Sequence, residues 1–233
     1  IGSGGREHAL CSSLIKSVKV KEIYCFPGNA GTNEIAKNIE LDLNNFELLK
    51  NFITKNSIDI IIVGPEKPLV DGIVDFLDIN KIKVFGPNKL ASKLEGSKIF
   101  TKELCNRYQI PTAGFGVYNN VKTSLDFLNQ CKYPVVVKAD GLAAGKGVYI
   151  CETKEQSKTA INEIFDGKFG KTNQVLIEEF LKGEEMSFFI ISDGKTFKKF
   201  GSAQDHKRVG EGDEGLNTGG MGAYSPSRLE SDI

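Results

Sequence analysis

The sequence predicts an α/β protein in which a parallel-sheet domain is followed by an α+β domain. In the first ninety or so residues, apolar strand-like runs alternate with segments of helical spacing, the pattern of a parallel sheet covered by helices. Beyond Pro111 the strand-like runs follow one another closely, and a single helix from about Lys154 to Phe165 interrupts them, which favours antiparallel pairing. We expect the two domains to cover residues 1–96 and 97–233.

Composition excludes several classes of protein. The 233 residues are 40% apolar, which is enough for an ordinary core, and 30 basic residues balance 30 acidic ones. Without a basic excess the chain is a poor nucleic-acid partner, and no apolar run approaches the roughly 20 residues of a bilayer helix. The five cysteines are scattered and never form CxxC, so we expect free thiols and a cytoplasmic protein with neither nucleic acid nor a membrane as partner.

Three runs are the candidate strands of the first domain, namely "KEIYCFP", "IDIIIVGP" and "IKVFGP". The candidate helices between them include the apolar positions 46, 49 and 52, and 73, 76 and 77. Glycine-containing turns follow the strands, and ligands of parallel sheets bind beyond the carboxyl ends of the strands.

The first of these turns is "GSGGREHAL", residues 2–10. Its glycines lie at a strand end and a helix start, where backbone N–H groups and the helix dipole can face an anion. Glu66 follows another strand, and a carboxylate at that place can accept hydrogen bonds from ribose hydroxyls. A plain tight turn and a solvated loop charge remain the alternatives for these two features.

The stretch "DGLAAGKGV", residues 140–148, joins the strands "PVVVKA" and "VYIC". It differs from the familiar phosphate loop, because that loop joins a strand to a helix. The stretch is therefore either a hairpin turn or a different way of holding phosphate. Lys138 ends an apolar strand beside it, and a half-buried ammonium group needs an anion, although a lysine reaching to solvent is the alternative.

Two further stretches carry polar groups. Glu178 and Glu179 are expected to end one strand, and Glu184 and Glu185 to start the next; a solvated acidic hairpin is the alternative interpretation. Asp205, Lys207 and Arg208 precede a long glycine-rich loop, and cations beside such a loop favour binding of carboxylate or phosphate. With only His8 and His206 available, no Ser-His-Asp or Cys-His pairing is credible, and no metal-ligand spacing occurs.

Taken together, seven stretches resemble the glycinamide ribonucleotide synthetase family, also called phosphoribosylamine–glycine ligases, of the ATP-grasp superfamily. They run in family order along essentially the whole chain: "GSGGREHAL", "PGNAGT", "VGPEKPLVDGI", "FGPNKLASKLEGSKIFTK", "VVKADGLAAGKGV", "IEEFLKGEEMSF" and "QDHKRVGEGDEGLNTGGMGAYSP". The resemblance implies a Rossmann-like pre-ATP-grasp domain followed by an ATP-grasp domain, with a small lid at about 119–182 and a truncated carboxyl-terminal side.

The resemblance also implies the reaction. Glycine, ATP and 5-phosphoribosylamine would give glycinamide ribonucleotide, ADP and phosphate through a glycyl phosphate, a step of de novo purine synthesis. The cofactors would be ATP with Mg²⁺ or Mn²⁺, and the substrates would be glycine and 5-phosphoribosylamine. The loop at 140–148 would then close over the triphosphate, and a lid that excludes water would protect the acyl phosphate.

Site residues carried over from the family fall into three groups. The cofactor group is Lys98, Lys138, Gly141, Gly145, Lys146, Gly147, Glu178, Glu179, Phe180, Leu181 and Glu185. The substrate group is Gly4, Gly5, Arg6, Gly28, Asn29, Glu66, Asp205, Lys207, Arg208, Gly219 and Gly220. The catalytic group is Lys138, Asp205, Lys207 and Arg208. The resemblance implies that Lys98 and Lys138 contact the phosphates of ATP. The backbone of residues 179–181 would hydrogen-bond adenine, and Glu185 would bind the ribose.

Two departures from the family pattern matter. We expect the chain to continue beyond residue 233, to carry its metal ligands there, and to be nearly inactive as the present stretch alone. Leu216 stands where the family usually has proline, which affects the local loop conformation. The alternatives are another ATP-grasp ligase or carboxylase, and a nucleotide-binding module that does not catalyse.

Overall fold

The computed structural model describes residues 1–142, 147–170, 172–212, 214–218, 220 and 222–232. The chain divides into two compact units, Ile1–Glu178 and the part from Glu179 onward. The predictions at Gly145, Lys146 and Gly219 lie outside the described residues.

The first unit begins with short parallel strands between helices. In chain order these elements are α1 (Gly5–Leu14), β1 (Tyr24–Cys25), β2 (Lys37–Asn38), α2 (Phe46–Lys55), β3 (Ile61–Ile62), α3 (Glu66–Asp71), α4 (Ile73–Ile79) and β4 (Val84–Phe85). β1 pairs in parallel with β2, and β3 pairs in parallel with β4. Ile1 and Gly2 connect the β1–β2 pair to the β3–β4 pair. Gly2 N donates to Phe26 O (2.7 Å), and the Ile1 amine donates to Ile62 O (2.7 Å). The predicted parallel arrangement is confirmed.

Helix α2 illustrates how the sequence builds this part. Asn45 caps the helix, since its side-chain oxygen accepts from the backbone N–H groups of Glu47 and Leu48. Leu49 and Ile53 lie one turn apart and are buried in the same core cluster as Ile73 and Leu77 of α4. This core holds the strands in place, and their carboxyl ends then lead into the turns at residues 2–5, 27–29 and 64–66.

The stretch "LEGSKIFTKELCNRYQIP", which starts at Leu94, predicts one helix that closes before Pro111, but the structure has two helices, α5 (Lys89–Gly96) and α6 (Lys98–Tyr108). Ser97 separates them because its backbone is extended (φ −144°, ψ 113°) and its hydroxyl accepts from Phe100 N (3.1 Å). A serine that caps the second helix ends the first, and Lys98 becomes the first residue of α6.

A second core lies in the same unit. Its elements are β5 (Phe115–Tyr118), α7 (Val121–Leu128), β6 (Val135–Ala139), β7 (Val148–Cys151), α8 (Lys154–Phe165) and β8 (Val175–Glu179). The strands form a sheet in the order β5-β8-β6-β7, in which β5–β8 and β6–β7 are antiparallel, as predicted. β5 and α7 were missed; the signal for α7 is Asn120, whose side chain accepts from Thr123 N (2.9 Å).

The part from Glu179 onward is built from strands. They are β9 (Ser187–Ser192), β10 (Phe197–Asp205), β11 (Arg208–Gly210), β12 (Glu214–Asn217) and β13 (Ala223–Tyr224). The dipeptide Asp193-Gly194 in the sequence predicts a hairpin turn, and the structure confirms it, because β9 and β10 pair antiparallel across it. Glu184 and Glu185 were predicted to start a strand, but β9 begins only at Ser187.

All five cysteines are free thiols. Within the described ranges, no helix has the length and apolar character needed to cross a bilayer.

Candidate functional site

The glycine turn at residues 2–5 leads from the first sheet into α1. Gly4 precedes the first helical turn and Gly5 begins it. The N–H of Gly4 donates to Glu7 Oε2 (2.7 Å), and Glu7 is buried. One of the donors expected to face an external anion is thus taken by the chain's own carboxylate, as in a capping box.

Predicted substrate residues meet around this turn. Arg6 Nη2 donates to Glu66 Oε1 (2.9 Å), and Asn29 Nδ2 donates to Ser3 O (2.8 Å) and Gly4 O (3.2 Å). Gly28 has φ +80°, a conformation that favours glycine, and its N–H donates to Gly2 O (3.1 Å). The turn therefore combines a guanidinium, a carboxylate and an amide at the carboxyl ends of parallel strands.

The environment of Glu66 favours its charged form. The pKa of Glu66 is lowered first by a hydrogen bond from its own backbone N–H at the start of α3, and then by Arg6. An ionised carboxylate here can accept hydrogen bonds from two hydroxyl groups at once.

Lys138 and Glu178 form an ion pair near the second core. Lys138 Nζ lies 2.7 Å from Glu178 Oε2, and a second lysine, Lys102, places its Nζ 3.5 Å from Glu178 Oε1. Glu178 is only 6% exposed, so the interpretation of this carboxylate as part of a solvated hairpin is wrong. The anion that Lys138 was predicted to need is supplied in this structure by Glu178.

Lys98 lies beside the same region. Its Nζ donates to Gly141 O (2.8 Å) at the start of the glycine-rich loop. Burial lowers the pKa of Lys98, while the negative charges of Asp140, Glu95 and Glu178 act in the opposite direction. A partly desolvated ammonium group interacts strongly with an arriving anion, because little water has to be displaced.

The loop after β6 leaves the sheet at a glycine. Gly141 has φ +92°, which L side chains rarely adopt, and nothing lies within 4 Å of the position where a Cβ would be. At the far end of the loop, Gly147 O accepts from Ala139 N (2.8 Å), which closes the β6–β7 hairpin. The prediction that this stretch joins two strands is confirmed.

The predicted adenine-binding stretch follows β8. Glu179 ends that strand and is exposed, Phe180 is half-buried, and Leu181 is 62% exposed. These residues begin the second compact unit.

The second unit gathers several of the remaining predicted residues. Lys207 Nζ lies 2.8 Å from Glu185 Oε1 and 3.1 Å from Asp205 Oδ2, and these contacts raise the pKa of Lys207, with Glu185 the larger cause. Arg208 Nη1 donates to Gly215 O (2.8 Å). Gly220 has φ +77° and its N–H donates to Thr218 Oγ1 (3.2 Å). A clamp of mixed charge thus lies beside the glycine-rich loop.

Sequence reasoning missed two charged residues near Lys98 and Lys138. Lys102 is buried on α6, three residues after the buried Ile99, and this helical spacing could have placed it on the core face. Asp140 Oδ1 accepts from Ile99 N (3.1 Å) and Asp140 Oδ2 from Ser97 Oγ (3.0 Å), so it ties the loop to the start of α6. Over the part of the chain that the structure describes, no group of three His, Cys, Asp or Glu residues is arranged to hold a metal.

Two family models match consecutive parts of the chain. A model described as phosphoribosylglycinamide synthetase, N domain, matches residues 1–95. A second, described as phosphoribosylglycinamide synthetase, ATP-grasp (A) domain, matches residues 96–232.

Individual relatives are similar over nearly the whole chain. A phosphoribosylamine–glycine ligase of Mesorhizobium japonicum is 50% identical over 228 residues, covering 97% of this chain and 54% of the relative. A phosphoribosylamine–glycine ligase of Brucella melitensis is also 50% identical over 228 residues, covering 97% of this chain and 53% of the relative. The crystal structure of Thermotoga maritima phosphoribosylamine–glycine ligase superposes with a TM-score of 0.81 at 34% identity, covering 99% of this chain and 56% of that one.

The chain spans about half the length of the curated relatives it matches. Both family models together account for residues 1–232, and the α/β fold with an ATP-grasp part is the one expected. The chain belongs to the phosphoribosylglycinamide synthetase family.

Proposed function

We propose that this chain is part of an ATP-dependent ligase that joins glycine to 5-phosphoribosylamine in de novo purine synthesis. The observation that carries the proposal is the cluster of Lys98 and Lys138 at the base of the glycine-containing loop, in a chain whose two halves both match this family. The relatives named as phosphoribosylamine–glycine ligases support the choice of substrates.

The chemistry has two steps. A glycine carboxylate oxygen forms a bond to the γ-phosphorus of ATP, the bond from that phosphorus to the bridging oxygen breaks, and ADP leaves. The amine of 5-phosphoribosylamine then attacks the acyl carbon, phosphate leaves with the bonding electrons, and the new amide nitrogen loses a proton. Neither step needs a protein nucleophile; both need cations and positioning around developing negative charge.

Roles in the first unit follow from charge and position. Lys98 and Lys138 would bind the phosphates of ATP, with the loop at Gly141 and Gly147 closing over them. In binding phosphate, Lys138 would exchange its contact with Glu178 for one with the ligand. Around the first turn, Arg6 would pair with the phosphate of phosphoribosylamine, and Glu66 and Asn29 would hydrogen-bond its ribose and amine.

Roles in the second unit concern glycine and the nucleoside. Lys207 and Arg208 would neutralise the glycine carboxylate and the acyl phosphate, and Asp205 would hold Lys207 in place. Glu185 would accept a hydrogen bond from the ATP ribose, with one oxygen still facing Lys207. A divalent cation, Mg²⁺ or Mn²⁺, would accompany ATP, but the described residues assemble no cluster for it, so no step is assigned to a metal.

Two measurements test the proposal. Isothermal titration of ATP into the chain should give saturable binding. In the protein expressed from its complete reading frame, a coupled assay should detect ADP release that requires both glycine and 5-phosphoribosylamine. ATP binding without substrate-dependent ADP release would favour a nucleotide-binding module, and the absence of both would refute the ligase assignment.

A further inference from the structure

We propose that Lys102 is a positioning residue of the nucleotide site, which keeps the buried Glu178 carboxylate compensated when Lys138 turns to phosphate. The inference rests on the proposed function, because it concerns the same ATP site. Lys102 itself is too deeply buried to reach a ligand, being only 8% exposed, and acts through Glu178.

Glu178 lies between two ammonium groups that differ in access to solvent. Its Oε2 is 2.7 Å from Lys138 Nζ, whose side chain is 25% exposed, and its Oε1 is 3.5 Å from Lys102 Nζ. The shorter contact is a hydrogen bond, whereas the longer one is a Coulombic contact only. Lys138 is therefore the cation that can leave, and Lys102 is the one that stays.

Three groups fix the position of Lys102. Its ammonium group donates to Thr112 Oγ1 (2.7 Å) and to Ala113 O (3.2 Å), and it lies 5.6 Å from the centre of the Phe115 ring. Phe115 is also the residue paired with Glu178 across the β5–β8 ladder. The ammonium group is thus anchored independently of Glu178 and cannot follow Lys138 towards a ligand.

The energetic consequence concerns the step in which phosphate arrives. A buried carboxylate that loses its only cation carries a large desolvation cost, which would oppose transfer of Lys138 to the ligand. With Lys102 in place, Glu178 keeps a counter-charge after Lys138 has moved. Among the residues that the structure describes, Lys98 on α6 also interacts electrostatically with Lys138 and Glu178, and in addition with Asp140 and Glu95.

Replacing Lys102 by methionine should therefore change how ATP binding depends on protons. In Lys102→Met, Glu178 would take up a proton as Lys138 leaves it, so ATP binding should tighten as the pH falls. We expect the Kd for ATP to rise about tenfold at pH 7.5, with up to about one extra proton bound per ATP relative to the wild type. Titrations in buffers of different ionisation enthalpy measure that proton uptake.

Matched variants separate this role from a structural one. Arg107→Met removes an exposed cation from the same helix and should bind ATP as the wild type does. Thr112→Val removes an anchor of Lys102 but leaves its charge, so stability should fall without extra proton uptake. Lys102→Met/Glu178→Gln removes both charges and should abolish the extra proton uptake.

The wild-type chain supplies a measurement that needs no variant. A crystal structure of the wild-type chain with ATP should show Glu178 still beside Lys102 after Lys138 has moved to the phosphates; a Lys102 that has also left Glu178 would overturn the inference. ATP binding by Lys102→Met with wild-type Kd and no extra proton uptake would also overturn it, while the ATP proposal would stand. If the wild-type chain binds no ATP, the role of Lys102 is refuted, while the ligase assignment is decided separately by the ADP-release assay.

Discussion

At the scale of single residues, the proposed chemistry depends on lysines in environments that would be unfavourable without partners. Lys138 lies in an otherwise buried strand, and Lys98 opens a helix whose dipole disfavours a cation there. Each is held by oxygen acceptors, Glu178 and Gly141 O respectively. Phosphate oxygens are stronger partners for an ammonium group than a carbonyl oxygen, so an arriving triphosphate would attract Lys98 away from Gly141 O.

Lys138→Ala should weaken ATP binding while leaving the fold intact. A hydrogen bond from an ammonium group to phosphate contributes about 1.5–3 kcal/mol, which corresponds to a Kd roughly ten- to a hundredfold higher. Glu178 retains Lys102 in this variant, so its burial remains compensated. Isothermal titration measures the Kd, and Lys132→Ala, an exposed lysine just before β6, is the control. Equal ATP affinity in Lys138→Ala and the wild type would contradict the assignment.

Glu66 should contribute stability that disappears in acid. Its pKa lies below the usual 4.5 because of the hydrogen bond from its own backbone N–H, and then because of Arg6. A carboxyl with a lowered pKa in the folded state stabilises the fold above its unfolded-state pKa, and this stability is lost as the pH falls through the folded-state value. Glu66→Gln should therefore lose less stability than the wild type between about pH 5 and pH 3.

Urea denaturation at both pH values measures this difference. The Glu66 side chain is 40% exposed, so the effect should be below about 1 kcal/mol. Glu103→Gln, at an exposed position on α6, should follow the wild-type profile. Parallel losses in Glu66→Gln and the wild type would show that Glu66 does not contribute this stability.

At the scale of elements, Asp140 couples the glycine-rich loop to helix α6. Its carboxylate accepts from Ile99 N and Ser97 Oγ, so an anion lies at the amino end of the helix, where the dipole favours it. Lys98 adds a bond to Gly141 O from the same helical turn. The loop therefore begins from a fixed point on α6.

Asp140→Ala should lower stability by about 1 kcal/mol, the usual cost of losing a helix cap. The urea midpoint should fall at unchanged slope, and the Ile99 amide should exchange faster with solvent because it loses its acceptor. Asp126→Ala, at an exposed position near the carboxyl end of α7, should be neutral or slightly stabilising. An unchanged Ile99 exchange rate in Asp140→Ala would show that Asp140 does not hold the start of α6.

Local signals in the sequence mark helices, although two of these signals were overlooked, whereas contacts between distant residues leave no local signal. α8 spans Lys154–Phe165 as predicted, and the structure shows a local signal for its start, the capping box that Thr153 and Gln156 form before an amphipathic segment. The split at Ser97 was missed because apolar spacing continues across it, and only the capping hydrogen bond marks the break. α7 was missed although Asn120 carries the same kind of local signal.

The same distinction applies to the candidate site. An apolar strand containing Lys138 predicts that an anion lies nearby, but Glu178 is 40 residues away and reaches it only through sheet pairing. Arg6 and Glu66 are 60 residues apart and meet because parallel strands end at the same edge. The residue types were therefore predictable, whereas their partners depended on tertiary structure.

At the scale of the whole molecule, two cores lie within the first unit, and the second unit is of a different character. The first core gathers residues between Phe26 and Leu77, and the second those between Leu128 and Ile177. In the second unit, by contrast, all six residues of β9 are exposed, including Phe188, Phe189, Ile190 and Ile191. Alternate residues of a strand point to opposite faces, so β9 presents apolar side chains on both.

Because β9 exposes apolar side chains on both faces, we expect this 233-residue chain to self-associate. Phe197 and Phe200 of the neighbouring β10 extend the surface, with exposures of 71% and 76%. Contiguous apolar surface of this kind binds hydrophobic dyes and promotes association. We expect the chain to bind anilinonaphthalene sulfonate when folded, and to sediment faster as its concentration rises.

Phe197→Ser/Phe200→Ser should lower the dye fluorescence by roughly half and weaken the concentration dependence of sedimentation. Both side chains are largely solvent-exposed, so their loss should change the melting temperature little. Val18→Ser/Ile79→Ser is the matched control, because it removes two exposed apolar side chains that lie outside this hairpin. If the control lowers dye fluorescence as much as the hairpin variant does, dye binding is a property of scattered apolar residues. If neither variant lowers dye fluorescence, the β9–β10 surface is covered in solution and its aromatic side chains are not exposed there.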